Sequence, residues 1–126
     1  MRGARRPNFE RFRAKMKSKA PIILIIIATL FSHLAIASAG WTDYVTVVEL
    51  IPTSRHYYKF RLPVKKNPSG CKEKNWFYQN YGSRGSDKMF DTLLEGIKSG
   101  LRLRVYVTGI CNIDGYSEIS SIGIIP

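Results

Sequence analysis

From Tyr44 onward the chain alternates between two periods. Tyr44–Ile51 (YVTVVELI) is β-branched and apolar and stops at Pro52. Val45 and Val47 share one face while Val48 and Leu50 share the other, a switch that predicts a bulge or a strand buried on both sides. His56–Leu62 (HYYKFRL) alternates cleanly, with Tyr58, Phe60 and Leu62 on one face and Tyr57, Lys59 and Arg61 on the other. A third strand is predicted over Asn75–Tyr81, and Gly82–Gly85 then breaks the chain. Met89, Phe90, Leu93, Leu94 and Ile97 recur at helical spacing, with Ser86 or Asp87 available as cap and Gly100 as terminator. Asp91 and Glu95 occupy the opposite, solvated side.

Period two returns in Leu101–Cys111, where Leu101, Leu103, Val105 and Val107 oppose Arg102, Arg104, Tyr106 and Thr108. Asn112–Gly115 predicts a tight turn through its Asp-Gly pair, and Tyr116–Ile125 predicts the closing strand. Five strands with one helix between the third and fourth is the order of an OB-fold, a small Greek-key barrel. The expected fold is therefore mainly β, and closure would remove the exposed edges of so small a sheet. An open antiparallel sheet carrying one helix is the alternative.

Upstream of this lies a different pattern. Lys17 and Lys19 precede an apolar run from Ala20 to Phe31, and Ala37-Ser38-Ala39 gives a small-x-small ending. That is the form of a secretory signal peptide over residues 16–39, cleaved before Gly40 or Trp41. An uncleaved anchor is the rival reading. Ser32 and His33 interrupt the run, and carried through to Ala37 it reaches 18 residues, against the roughly 20 of a spanning helix. Residues 1–15 form a basic extension with two explanations: translation starts at Met16, or Arg5-Arg6 belongs to a twin-arginine signal, whose following apolar position is filled by Asn8. The strongly apolar run fits the general secretory route better. The expected location is secreted or periplasmic, with no stable membrane span after cleavage.

The leader reading changes what composition implies. The chain carries a formal charge of +11, yet residues 1–39 hold eight basic groups and one acid. Residues 40–126 hold 12 basic and eight acidic side chains, a net of +4. A domain of that charge suits an acidic glycan or another anionic partner, and nucleic acid is disfavoured. Cys71 and Cys111 both fall in this 40–126 domain, where an oxidising compartment makes them one disulfide.

A resemblance attaches to Trp41-Thr42-Asp43 after the leader, to the strand holding Trp76, to the helix that follows, and to Gly100–Tyr106 (GLRLRVY). In these features the chain resembles the receptor-binding B subunits of bacterial AB-type toxins, the subtilase cytotoxin and typhoid toxin group. The resemblance implies an OB barrel, a homo-oligomeric ring of five copies, binding of a sialylated or other cell-surface glycan, and a toxic A subunit as partner. Tyr44-Val45-Thr46 runs straight into the first strand, so none of that family's sugar-contacting residues carries over. Tyr116-Ser117-Glu118-Ile119 is similar to the last strand of small periplasmic OB-fold stress-response proteins, which implies an accessory protein of unknown ligand as the alternative.

Chemistry points to binding rather than catalysis. A nucleophilic triad needs a histidine base, and the single histidine after the leader, His56, sits at a strand start, where a surface or barrel-rim position is the plainer reading. No two of the eight carboxylates are singled out by spacing for glycoside hydrolysis. Two cysteines and one histidine do not make a four-ligand metal set, and no cofactor is implied. Trp76-Phe77-Tyr78-Gln79-Asn80-Tyr81 sets aromatics beside amides, with Lys72, Lys74 and Arg84 near in sequence. Aromatic faces stack on rings while amides and cations supply directional hydrogen bonds. Trp76, Tyr78, Tyr81 and Arg84 are accordingly the candidate ligand residues, against the plainer reading that Trp76 and Tyr78 line the core face of a strand. Tyr57, Lys59 and Arg61 form a second outward stripe.

Overall fold

The computed structural model describes residues 37–126, within a compact unit that begins at residue 36. The readings of the basic extension, the start at Met16 and the apolar run lie outside the described residues. Seven strands and one helix follow in order: β1 (Gly40–Trp41), β2 (Val45–Thr46), β3 (Glu49–Pro52), β4 (Tyr57–Arg61), β5 (Trp76–Asn80), α1 (Ser86–Ser99), β6 (Arg102–Val107) and β7 (Ser117–Ile125). The domain is mainly β with one helix, as its periodicity predicts.

Three details of the predicted fold are corrected. There are seven strands instead of five, because Gly40–Trp41 pairs with β6 and because Tyr44–Ile51 is two strands. The helix consequently follows the fifth strand and not the third, although the segments on either side of it are those predicted. The hydrogen-bonded sheet runs β1-β6-β7-β5-β4-β3 with β2 also on β6, an open path in place of a closed barrel. The physical cause sits at Val47–Val48. Val47 is buried and Val48 is 49% exposed, so the chain turns over there and leaves the ladder. β2 pairs antiparallel with β6 (Val45↔Leu103), and β3 pairs antiparallel with β4 (Leu50↔Phe60). The alternative of an open antiparallel sheet carrying one helix fits in its open path and its helix, and departs only where β5 and β7 run parallel (Phe77↔Ser117, Tyr78↔Glu118).

The core lies on the inner faces of these strands. Tyr58, Phe60, Leu62, Phe77, Leu103, Val105 and Val107 are fully buried. Leu93 of α1 joins them, with Met89 and Phe90 packed alongside. Gly96 brings the helix close to β6: a Cβ there would stand 2.8 Å from Leu103 Cδ1. Gly85, in a left-handed conformation, is the residue preceding the helix, and no side chain caps it. Ser86 is therefore already helical and its predicted capping role is not filled. Gly100 (φ 64°) ends the helix as predicted, its N–H donating to Gly96 O.

Two polar devices hold the long connection between β4 and β5. Ser69 and Ser117 hydroxyls hydrogen-bond at 2.7 Å in the interior, and Asn67 Nδ2 donates to Ser117 Oγ and to Lys74 O. Asp43 accepts from the backbone N–H groups of Lys66 (2.9 Å) and Lys65 (3.1 Å). Partial burial raises the Asp43 pKa, but those two amide donors more than offset it and hold the carboxyl below its ordinary value. A carboxyl depressed on folding contributes stability above its unfolded pKa, about 4, and loses it as pH falls through the folded value. Asp43→Asn is expected to lower the melting temperature at pH 7 and to leave it nearly unchanged below pH 3, a difference that thermal melts across pH 2–7 would reveal.

The disulfide predicted from composition is present, joining Cys71 to Cys111 across 40 positions with Cα atoms 5.6 Å apart. Asp114 (φ 49°) and Gly115 (φ 75°) form the predicted tight turn. β6 stops at Val107, four residues before the predicted end, after a register shift against β7, although Thr108 N–H still donates to Glu118 O and Ile110 O accepts from Glu118 N–H before the chain reaches Cys111. No helix among the described residues is long and apolar enough to cross a membrane.

Candidate functional site

Strand register assembles a row of side chains on the outer face of the sheet. Glu49 lies opposite Arg61, and Arg61 lies opposite Trp76. The parallel pairing of Phe77 with Ser117 then sets Trp76 beside Tyr116. Their rings stack at 5.5 Å with 22° between planes. Lys59, two residues before Arg61 and on the same face, holds its Nζ 5.6 Å from both ring centroids. The Arg61 guanidinium is 5.9 Å from the Trp76 ring. Contacts of this kind are worth about 0.5–1 kcal/mol each at exposed sites, enough to orient the cations without hiding them.

Arg61 Nε also meets Glu49 Oε2 at 3.4 Å, with both side chains nearly half exposed. Such a pair contributes about 0–1 kcal/mol, so an incoming anion can displace it cheaply. Lys59 has no carboxylate partner among the described residues. The result is a platform of two stacked, partly exposed rings bordered by two cations.

The four sequence candidates are not brought together. Trp76 belongs to the platform. Tyr78 is on the same outer face, yet it is 1% exposed and packs edge-on against Tyr57 at 6.2 Å. Burial, reinforced by the Glu118 charge, pushes its phenol up to about 12. Its hydroxyl therefore stays protonated and donates to Glu118 Oε2 at 3.4 Å, and its burial keeps it out of a ligand's reach. Register sets Trp76 and Tyr78 on the face opposite Phe77 and Gln79, and of the two Tyr78 is buried, as the plainer reading of a packed side chain expects, while Trp76 stays partly exposed.

Tyr81 follows the far end of β5, about 17 Å along the strand from Trp76. Its hydroxyl accepts from Thr53 N–H at 2.8 Å and donates to Thr53 O at 2.7 Å. Arg84 is exposed in the turn before α1. Tyr116, which sequence reasoning did not single out, is half of the platform, and only the parallel β5–β7 pairing places it there.

Tyr81 forms part of a separate cleft of about 350 Å3 lined by Pro52, Tyr58, Ser86, Asp87, Phe90 and Asp91. Tyr58 stands edge-on to Phe90 at 5.3 Å and tilted to Tyr81 at 6.0 Å. Burial raises the Tyr58 phenol to about 12, and its hydroxyl donates to Gln79 Oε1 at 2.6 Å. Both phenols titrate above the ordinary value, so neither changes charge near neutrality.

A third aromatic cluster lies on β1 and β6. The Arg104 guanidinium is 4.3 Å from the Trp41 ring and 4.9 Å from Tyr44, while Trp41 meets Tyr106 edge-on at 5.4 Å. Arg104 Nε is buried without a hydrogen-bond partner. These contacts close over the arginine and tie β1 to β6, a packing role that explains them fully.

His56 is exposed and edge-on to Tyr57. No group of three His, Cys, Asp or Glu side chains that could hold a metal ion occurs among the described residues. No protein family matches the chain, and no curated protein matches it.

Proposed function

We propose that this chain is an exported, non-catalytic binding domain of the OB-fold type, and that its ligand is an acidic glycan held on the Trp76–Tyr116 platform. The observation that carries the reading is the row itself: two stacked, partly exposed aromatic rings, with Lys59 near both and Arg61 beside Trp76. A sugar ring lays its C–H face on such a surface, and a carboxylate on that sugar meets two cations at the border. A neutral sugar gains the first term only.

Three further observations support the proposal. The two halves of residues 45–52 pair with β6 and β4 in turn, while β5 pairs parallel with β7, compatible with an OB-like strand order bent at Val47–Val48. The platform then lies on the second and third long strands, the face on which OB domains hold oligosaccharides and oligonucleotides. The Cys71–Cys111 bridge and the leader pattern suit an oxidising compartment, and Ala37–Ala39 are exposed and outside regular structure, as a processing site needs to be. A five-copy ring carrying a toxic subunit is the fuller form of this proposal and rests on the resemblance alone. Light scattering on the exported protein tests it, and a monomer rules it out.

Titration of the protein with sialyllactose and with lactose, followed by tryptophan fluorescence, tests the site. The sialylated sugar is expected to bind and Trp76→Ala to weaken it by about 30-fold, the order of one lost stacking contact. Lys59→Gln should cost about tenfold and flatten the salt dependence. Equal binding of lactose, or indifference to Lys59→Gln, would sink the acidic-glycan reading. Tighter binding of a single-stranded oligonucleotide with a steep salt slope would replace it with a nucleic-acid one.

A further inference from the structure

The cleft at the far end of β5 has chemistry opposite to that of the platform. Its walls are the rings of Tyr58, Tyr81 and Phe90, and its volume of about 350 Å3 suits a small ligand. Asp87 and Asp91, one turn apart on α1, also line it, and neither forms an ion pair among the described residues. Two carboxylates standing together without a cation are conspicuous in a domain whose net charge is +4.

A third polar group completes the set. Ser86 lines the cleft at 3% exposure, and its Oγ has no well-formed hydrogen bond. That hydroxyl is close enough to Tyr58 to favour the ionised phenol slightly, against the larger effect of burial, and the Tyr58 hydroxyl donates to Gln79. A buried hydroxyl left this way costs free energy until something satisfies it.

We propose that this cleft is a second binding site, for a primary ammonium group carried on a short aliphatic stem. An ammonium has three N–H donors and no acceptor, and the cleft offers the exposed Asp87 and Asp91 carboxylates, with Ser86 Oγ buried in its wall as a third acceptor. The stem packs against Tyr81 and Phe90, and the aromatic faces attract the cation where it comes within about 6 Å of a ring centre. The opposing term is the start of α1, whose free N–H groups amount to roughly half a positive charge. Two whole negative charges outweigh it. An anion would meet both carboxylates, so the uncapped helix end does not make this an anion site. A bare metal ion would lose its water shell against carbon walls with too few oxygens to replace it.

The site stands apart from the acidic-glycan reading, because it shares no residue with the platform and lies about 17 Å along β5 from Trp76. NMR titration of the folded exported protein with n-butylamine, n-butanol and tetramethylammonium tests it. The amine is expected to shift resonances of Tyr81, Asp87 and Phe90 saturably and to bind about tenfold tighter than the alcohol. Asp87 and Asp91 are exposed, so Asp87→Asn with Asp91→Asn should keep the fold, checked by its unperturbed spectrum elsewhere, and should erase the preference for amine over alcohol. Equal binding of butanol, a preference that survives the double substitution, or no saturable shift with butylamine overturns the proposal. Tighter binding of tetramethylammonium also overturns it, since that ion has no N–H to donate. Loss of sialyllactose binding in Trp76→Ala bears on none of these outcomes.

Discussion

Replacing Cys71 and Cys111 together by alanine is expected to lower the stability of the domain by about 4 kcal/mol. The bridge spans 40 positions, and closing a loop of that length removes roughly this much free energy of chain entropy from the unfolded state. A domain of this size has about 4–13 kcal/mol of stability in total, so the loss is a third or more of what holds it. The bridge also ties the β4–β5 connection, which belongs to no strand, to the segment between β6 and β7. Urea unfolding of the oxidised protein and the double variant, with matched slopes, measures the difference. A change below about 1 kcal/mol would mean that the Ser69–Ser117–Asn67 hydrogen bonds already hold the loop in place without it.

Phe77→Ala is expected to cost about 3–5 kcal/mol, the range for emptying a fully buried aromatic site. Phe77 is 0% exposed, and its ring stacks on Phe60 at 5.5 Å with 18° between planes. The two lie opposite one another on β4 and β5, at the middle of the sheet, where the surrounding strands cannot collapse into the space. Trp76→Ala, one residue earlier on the outer face, is expected to leave stability within about 1 kcal/mol while weakening the ligand. The contrast between adjacent positions is the sharpest check on register. A slip of one residue would exchange the two outcomes.

That contrast also marks how far the amino-acid pattern reaches. Alternation in HYYKFRL and LRLRVYV placed Phe60, Leu103, Val105 and Val107 inside and Lys59 and Arg61 outside, because a strand with one wet face has no other way to bury its apolar half. The switch between Val47 and Val48 was legible as an irregularity, and the strand does break there. Its consequence was not legible: one broken strand shared between β6 and β4 makes seven strands on an open path. β1 has two residues, too few for any period. Among the candidate ligand residues, the aromatic segment Trp76–Tyr81 was legible as unusual, but its division was not. Trp76 went to the platform, Tyr78 to a buried position against Tyr57 and Glu118, Tyr81 to a separate cleft, and Arg84 to an exposed turn.

The sequence by itself determined the mainly β class, the one helix with its glycine stop, the Asp-Gly turn and the pairing of the only two cysteines. Each of these depends on neighbours within one element, or on a count that leaves a single solution. Only the tertiary structure decided what shares a surface. Tyr116 stands beside Trp76 because β5 and β7 run parallel, and Asp87 and Asp91 join Tyr81 because α1 begins next to the end of β5. Trp76 and Tyr116, 40 residues apart, meet only through long-range strand pairing, and local periodicity carries no information about which strand becomes the neighbour of which.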